Sequence, residues 1–173
     1  MRELADAQRI GRLMDALGRV AREDGRVYFT GGATAVLLGW RSSTIDVDLK
    51  LVPEQDAVLR AIPEIKEELR INIELASPAD FIPVPDGWEE RGIFIDRRGR
   101  LSFYHFDLYA QLLAKIERGH QQDLADVREM IARGLVDAER ALAYWEKIAP
   151  YLYRYPAIHP PSFRQAIRDV LGR

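Results

Sequence analysis

The sequence predicts an α+β fold, a mixed sheet flanked by helices with a C-terminal helical region. Three observations carry this. Short segments alternating at period two cluster between residues 26 and 106. From Asp107 onward the apolar residues recur only at helical spacing. The order is helix, then mixed elements, then helices, which does not describe a doubly wound sheet. The expected organisation is a core over 1–106 and a helical region over 107–173, packed as one compact unit.

Leu4, Ile10, Leu13, Met14, Leu17 and Val20 mark an amphipathic helix over about 2–23, ended by Asp24-Gly25. Val27–Thr30 is a short strand. Gly31-Gly32 leads to a helix over Ala33–Leu38, closed by Gly39. Arg41–Thr44 is a polar loop. Ile45–Leu51 alternates as a strand and stops at Pro53. Pro53–Arg70 is helical in pattern, with an interruption expected at Pro63. Ile71–Leu75 is another alternating strand, and Ser77–Trp88 is a proline-rich loop. Gly92–Asp96 and Leu101–Phe106 flank Arg97-Arg98-Gly99-Arg100 as a hairpin with a basic tip. Helices follow over about 107–118, 121–133, 137–149 and 162–171, broken at Gly119 and Gly134.

Composition narrows the function classes. With 47% hydrophobic and 30% charged residues, this is an ordinary globular chain rather than a disordered one. There is no cysteine, which excludes disulfides, thiolate-ligated zinc and thiol catalysis, and makes a reducing cytoplasm the expected location. No apolar run reaches the length of a membrane span, and MRELADAQRIGRL lacks the apolar centre of a signal peptide. The net charge of −2 offers no global basic field, so any contact with nucleic acid would be local.

The chemistry concentrates in FTGGATAVLLGWRSSTIDVDLKL, from Phe29 to Leu51. Strand residues two apart share a face, so Asp46 and Asp48 point together while Ile45, Val47 and Leu49 point to the core. Two carboxylates this close repel each other, and a divalent cation removes the repulsion. Mg²⁺ prefers one or two protein carboxylates completed by phosphate oxygens and water, with Mn²⁺ as the alternative ion. Gly31-Gly32, after a strand and before a helix, permits close backbone approach of an anionic phosphate.

Gly-Gly, about a dozen residues, then Asp-apolar-Asp resembles the signature of the nucleotidyltransferase-fold superfamily, the DNA polymerase beta-like enzymes. The stretch RSSTIDVDL is similar to the AbiEii-type abortive-infection toxins and related uncharacterised bacterial domains. The resemblance implies that Gly31 and Gly32 hold the triphosphate of an NTP, that Arg41 and Thr44 support the loop or touch the nucleotide, and that Asp46 and Asp48 hold the metal. It also implies a tRNA or protein acceptor and an antitoxin partner. The family commonly adds a third acid on a neighbouring strand, a role that fits Glu74 in Ile73-Glu74-Leu75, with Asp80 as its rival.

LYAQLLAKIERGHQQDLADVREM resembles the Lys-x-x-Arg…Asp-x-x-Asp region of the same toxins. That resemblance makes Lys115 a triphosphate contact and gives Asp123 an orienting or proton-accepting role. The plainer reading of both is helix capping and ion pairing. His105, between aromatics, reads as a packing residue, and His120 as a polar loop residue. Arg91, Arg97, Arg98 and Arg100 read first as a solvated hairpin tip and second as an RNA-binding strip. The Tyr151, Tyr153, Tyr155 series reads as helix-end packing. The leading expectation is Mg²⁺-dependent nucleotidyl transfer, and the alternative is a catalytically idle binding module of the same fold.

Overall fold

A computed structural model describes residues 2–172. The chain is α+β, and its residues group into two units. One contains the residues up to Ser77 together with Gly92–Phe106. The other contains Pro78–Arg91 and everything from Asp107.

The first unit is built on a five-stranded sheet: β1 (Gly25–Thr30), β2 (Asp46–Val52), β3 (Asn72–Leu75), β4 (Ile93–Arg98) and β5 (Leu101–His105). The order across the sheet is β3-β2-β1-β5-β4. β1 runs antiparallel to β2 and parallel to β5, β2 runs parallel to β3, and β4 and β5 form the expected hairpin. Three helices belong here: α1 (Ala7–Val20), α2 (Gly32–Leu38) and α3 (Asp56–Leu69). Val27, Phe29, Val47, Leu49 and Phe103 are buried from the sheet, and they share one core with Leu13, Leu17, Val36 and Ile62 of the helices.

The periodicity locates each element to within a few residues, with one difference of substance. α3 is continuous through Pro63. Its buried face, Val58, Ile62 and Ile65, binds it to the core on both sides of the proline, and the ring itself is exposed. Tertiary burial therefore outweighs the missing hydrogen bond.

The hairpin tip is not a free basic surface. Arg97 and Arg100 reach Asp24 at 3.3 and 3.1 Å, and Arg98 reaches Asp15 at 2.6 Å and Asp96 at 2.8 Å. Arg100, and then Arg97, holds the Asp24 carboxyl below its ordinary pKa. The tip is seated on α1 by two glycines. A Cβ on Gly18 would stand 2.5 Å from the Arg98 carbonyl oxygen, and one on Gly99 would collide with the Gly18 carbonyl.

His105 is 3% exposed, and its Nδ1 lies 3.0 Å from the Thr34 hydroxyl of α2. Burial lowers its pKa from 6.5 to about 4. It is a packing histidine, neutral at physiological pH.

The second unit contains α4 (Leu108–Arg118), α5 (Gln121–Ala132), α6 (Ala138–Ile148) and α7 (Pro160–Leu171), with 3₁₀ turns at Pro78–Asp80 and Ala149–Arg154. Arg91 organises its entrance. Its guanidinium pairs with Asp107, 1% exposed, at 2.9 Å, donates to the Pro85 and Asp86 carbonyls, and lies 4.5 Å over the Tyr144 ring. Asp107 in turn accepts from the Tyr109 N–H and caps α4. Tyr151 and Tyr153 are exposed beside Arg154, so of the tyrosine series it is Tyr155 that packs, donating to the Ala79 carbonyl at 2.6 Å.

Gly18→Ala presses a methyl against backbone that cannot turn aside and should cost about 1–3 kcal/mol in urea unfolding. Gly11→Ala in the same helix meets nothing within 4 Å and should instead gain about 0.5–1 kcal/mol. His105 binds its proton more weakly when folded than when unfolded. Its contribution is therefore intact above pH 6.5, is lost as pH falls, and levels off below about 4. Wild type should lose about 3 kcal/mol more than His105→Gln across that window, read from urea midpoints against pH.

Candidate functional site

β2 places the carboxylate pair. Its burial alternates strictly, with Val47, Leu49 and Leu51 in the core and Asp46 and Asp48 half-buried on the opposite face. Ile45, expected in the core with Val47 and Leu49, precedes the strand and is 72% exposed. Neighbouring strands complete that face. Asp48 stands opposite Thr30 of β1 and beside Glu74 of β3, and Asp46 stands beside Asn72.

The two glycines meet this face directly. Gly31 lies at φ +63° and ψ −131°, a conformation that L side chains rarely adopt. A Cβ there would stand 3.2 Å from Asp48 Oδ2. A Cβ on Gly32 would collide with the Thr44 hydroxyl. The absence of side chains thus brings the β1–α2 turn against both the second aspartate and the loop before β2. Thr44 holds its own place by three bonds. Its backbone bridges Ala5 in both directions, and its Oγ1 donates to the Asp46 carbonyl at 3.0 Å. Arg41 uses its backbone N–H to close the end of α2 on the Ala35 carbonyl.

Asn72 arranges the acids. Its amide donates to Asp46 Oδ1 at 2.6 Å and to Glu74 Oε1 at 3.2 Å, so it stands between the two carboxylates. Glu74 is exposed. Among the described residues no group of three or more His, Cys, Asp or Glu side chains is placed to hold a metal ion. Asp80 is exposed on a 3₁₀ turn of the second unit.

Lys115 and Asp123 belong to the second unit and form a cluster there. Lys115, buried, lies 2.8 Å from Asp126 and 4.0 Å from Asp123. Asp123 accepts two bonds from Arg118, at 2.9 and 3.1 Å, and one from the His120 N–H at the start of α5. Gln122 donates to Asp126 at 3.1 Å. Two cations and two acids thus lock α4 to α5. His120 is the residue that caps α5.

One participant has no motif in the sequence: Thr30, opposite Asp48, which could have been found from its place in step with Tyr28 on an alternating strand. The parity of Asn72 with Glu74 and the spacing of Asp126 after Asp123 are both visible in the sequence, but not their hydrogen bonds to Asp46 and to Lys115. Asp126 stands in the apolar stripe that includes Val127 and Met130, a place where an acid needs a partner.

No curated protein and no solved structure matches the chain. A family profile does match, over residues 10–150, a span that includes every candidate residue from Gly31 to Asp123. By that match the chain belongs to the family described as nucleotidyltransferase of unknown function (DUF6036).

Proposed function

We infer that the chain transfers a nucleoside monophosphate from an NTP to an acceptor hydroxyl at the face formed by Gly31, Gly32, Asp46 and Asp48. The observation that carries this reading is the closeness of Gly31 to Asp48 Oδ2, which puts a backbone able to approach phosphate beside a carboxylate pair. In the reaction, the acceptor oxygen forms a bond to the α-phosphorus. The bond from that phosphorus to the bridging oxygen breaks, pyrophosphate leaves with the electron pair, and the hydroxyl proton passes to an acid of the face or to water.

The donor set suits Mg²⁺ or Mn²⁺. Two carboxylates on one strand face match an ion that keeps water and takes phosphate oxygens rather than an all-protein cage. Asp46 and Asp48 would hold the ion, which would supply charge neutralisation at the triphosphate. Glu74 enters through Asn72, as an outer acid that orients Asp46. Thr44 positions Asp46 through its carbonyl, and Arg41 supports the loop between glycines and acids.

The likeness to AbiEii-type toxins extends the proposal to a tRNA or protein acceptor and an antitoxin partner. It also makes Lys115 a triphosphate cation and Asp123 its orienting acid. In that role Lys115 would exchange one anion, Asp126, for another.

Transfer should be read with α-labelled NTP and Mg²⁺. The Asp46→Asn/Asp48→Asn variant should keep its circular dichroism and lose transfer by about a thousandfold or more. Label moving from the γ position instead would mean phosphoryl transfer. Nucleotide binding without transfer to any RNA or protein would favour the idle binding module. For Lys115, two measurements separate the roles. Lys115→Met leaves Asp126 buried without its cation and should cost about 3–5 kcal/mol in unfolding. A phosphate role predicts in addition a raised KM for NTP at a temperature where the variant is fully folded.

A further inference from the structure

The register aligns one row of side chains across four strands of the sheet. Lys50 on β2 stands opposite Tyr28 on β1, Tyr28 beside Tyr104 on β5, and Tyr104 opposite Phe94 on β4. Residues in register share a face, so this row lies on the side that carries Asp48, two residues from Lys50. The rings are in contact. Tyr28 and Tyr104 stack with centroids 5.3 Å apart and planes 23° apart, and Phe94 meets Tyr104 edge-on at 5.5 Å and 70°. The Arg26 guanidinium lies 5.3 Å over the Tyr104 ring and donates to the Tyr28 hydroxyl at 3.2 Å.

Exposure grades along the row. Tyr28 is buried, Tyr104 half-buried, and Phe94 is 57% exposed. The hydrophobic core lies on the other face of the sheet, where Phe29 and Phe103 stack. Burial accounts for Tyr28, which also meets the buried Phe106 edge-on at 6.0 Å, but not for the half-buried Tyr104 and the exposed Phe94 at the edge of the carboxylate face.

The geometry points to a subsite for an unpaired nucleobase of a single-stranded nucleic acid. Phe94 and Tyr104 form the stacking surface, and Arg26 and Lys50 are the phosphate contacts. The inference rests on the nucleotidyl-transfer reading and names the acceptor's class. Aromatic faces accept any base, and cations beside them track the backbone. The row crosses three inter-strand spacings, about 14 Å. That is longer than one nucleoside, and it leads from the open sheet edge to the strand bearing Asp46 and Asp48. A protein strand added to β4 is the rival occupant. It fits less well, because the β4–β5 register shifts between Phe94 and Asp96, and such bulges spoil an edge for strand addition.

Fluorescence anisotropy of labelled oligouridylate and oligodeoxythymidylate, titrated with the full chain, tests this. Wild type should bind, and Phe94→Ser should bind about tenfold more weakly or worse. Phe94→Tyr should bind as wild type does. Arg26→Gln and Lys50→Gln should each lower the slope of log affinity against log salt by about one. Asp46→Asn/Asp48→Asn should keep oligonucleotide binding while losing transfer. Absence of wild-type binding alongside intact transfer would overturn the subsite and leave the transfer reading standing. Equal binding by Phe94→Ser would also overturn it, as would a Phe94-dependent dimer in sedimentation without oligonucleotide binding.

Discussion

The site in the first unit depends on one close approach. The Thr44 hydroxyl occupies space that a side chain at position 32 would need. Because residue 32 is glycine, Thr44 can lie against the start of α2 while bonding Ala5 and the Asp46 carbonyl. That anchors the first residue of β2. The antiparallel register with β1 then fixes Asp48 opposite Thr30, and the parallel register with β3 fixes Asn72 and Glu74 beside the pair. A shift of one residue would turn both aspartates into the core and Val47 out of it. The cost of burying two carboxylates enforces the register as strongly as the gain from burying Val47 and Leu49 does.

The second unit is held by charge in a different way. Asp107 and Asp126 are almost wholly buried, and each has a cation at hydrogen-bond distance, Arg91 and Lys115. Arg91 also stacks on Tyr144 and holds two carbonyls of its own loop, a set of contacts that needs a planar fork of donors. Lys115 makes a point contact, and lysine suffices there. The difference in side-chain type follows the number of groups each must satisfy.

Local pattern made much of this legible in the sequence. The alternation of Ile45–Leu51, the glycine pair after β1 and the helical spacing beyond Asp107 placed the elements and the carboxylate face. What pattern could not give was pairing. Nothing in the chain states that β1 lies between β2 and β5, or that Pro78–Arg91 groups with the helices rather than with the sheet. Both depend on contacts between residues far apart in sequence. Charge partners are hidden for the same reason. The arginines near the hairpin read as a solvated tip, but only the fold sets Asp15, Asp24 and Asp107 beside them. Lys115 was readable as a partner of Asp123, but helix packing gives the shorter contact to Asp126.

Asn72 explains how two of the three acids on this sheet face, Asp46 and Glu74, stand close together. Asp46, Asp48 and Glu74 occupy adjacent positions on two hydrogen-bonded strands, where carboxylates with no donor between them would repel at short range. The amide of Asn72 has two N–H donors and no charge, and it directs them to Asp46 and to Glu74. An aspartate at 72 would add a fourth charge and remove the amide donor between those two acids. A lysine would satisfy both, but as a fixed cation it would compete with any ion the pair binds. An uncharged donor leaves the charge of the acids available, as the proposed binding of a cation and a triphosphate would require.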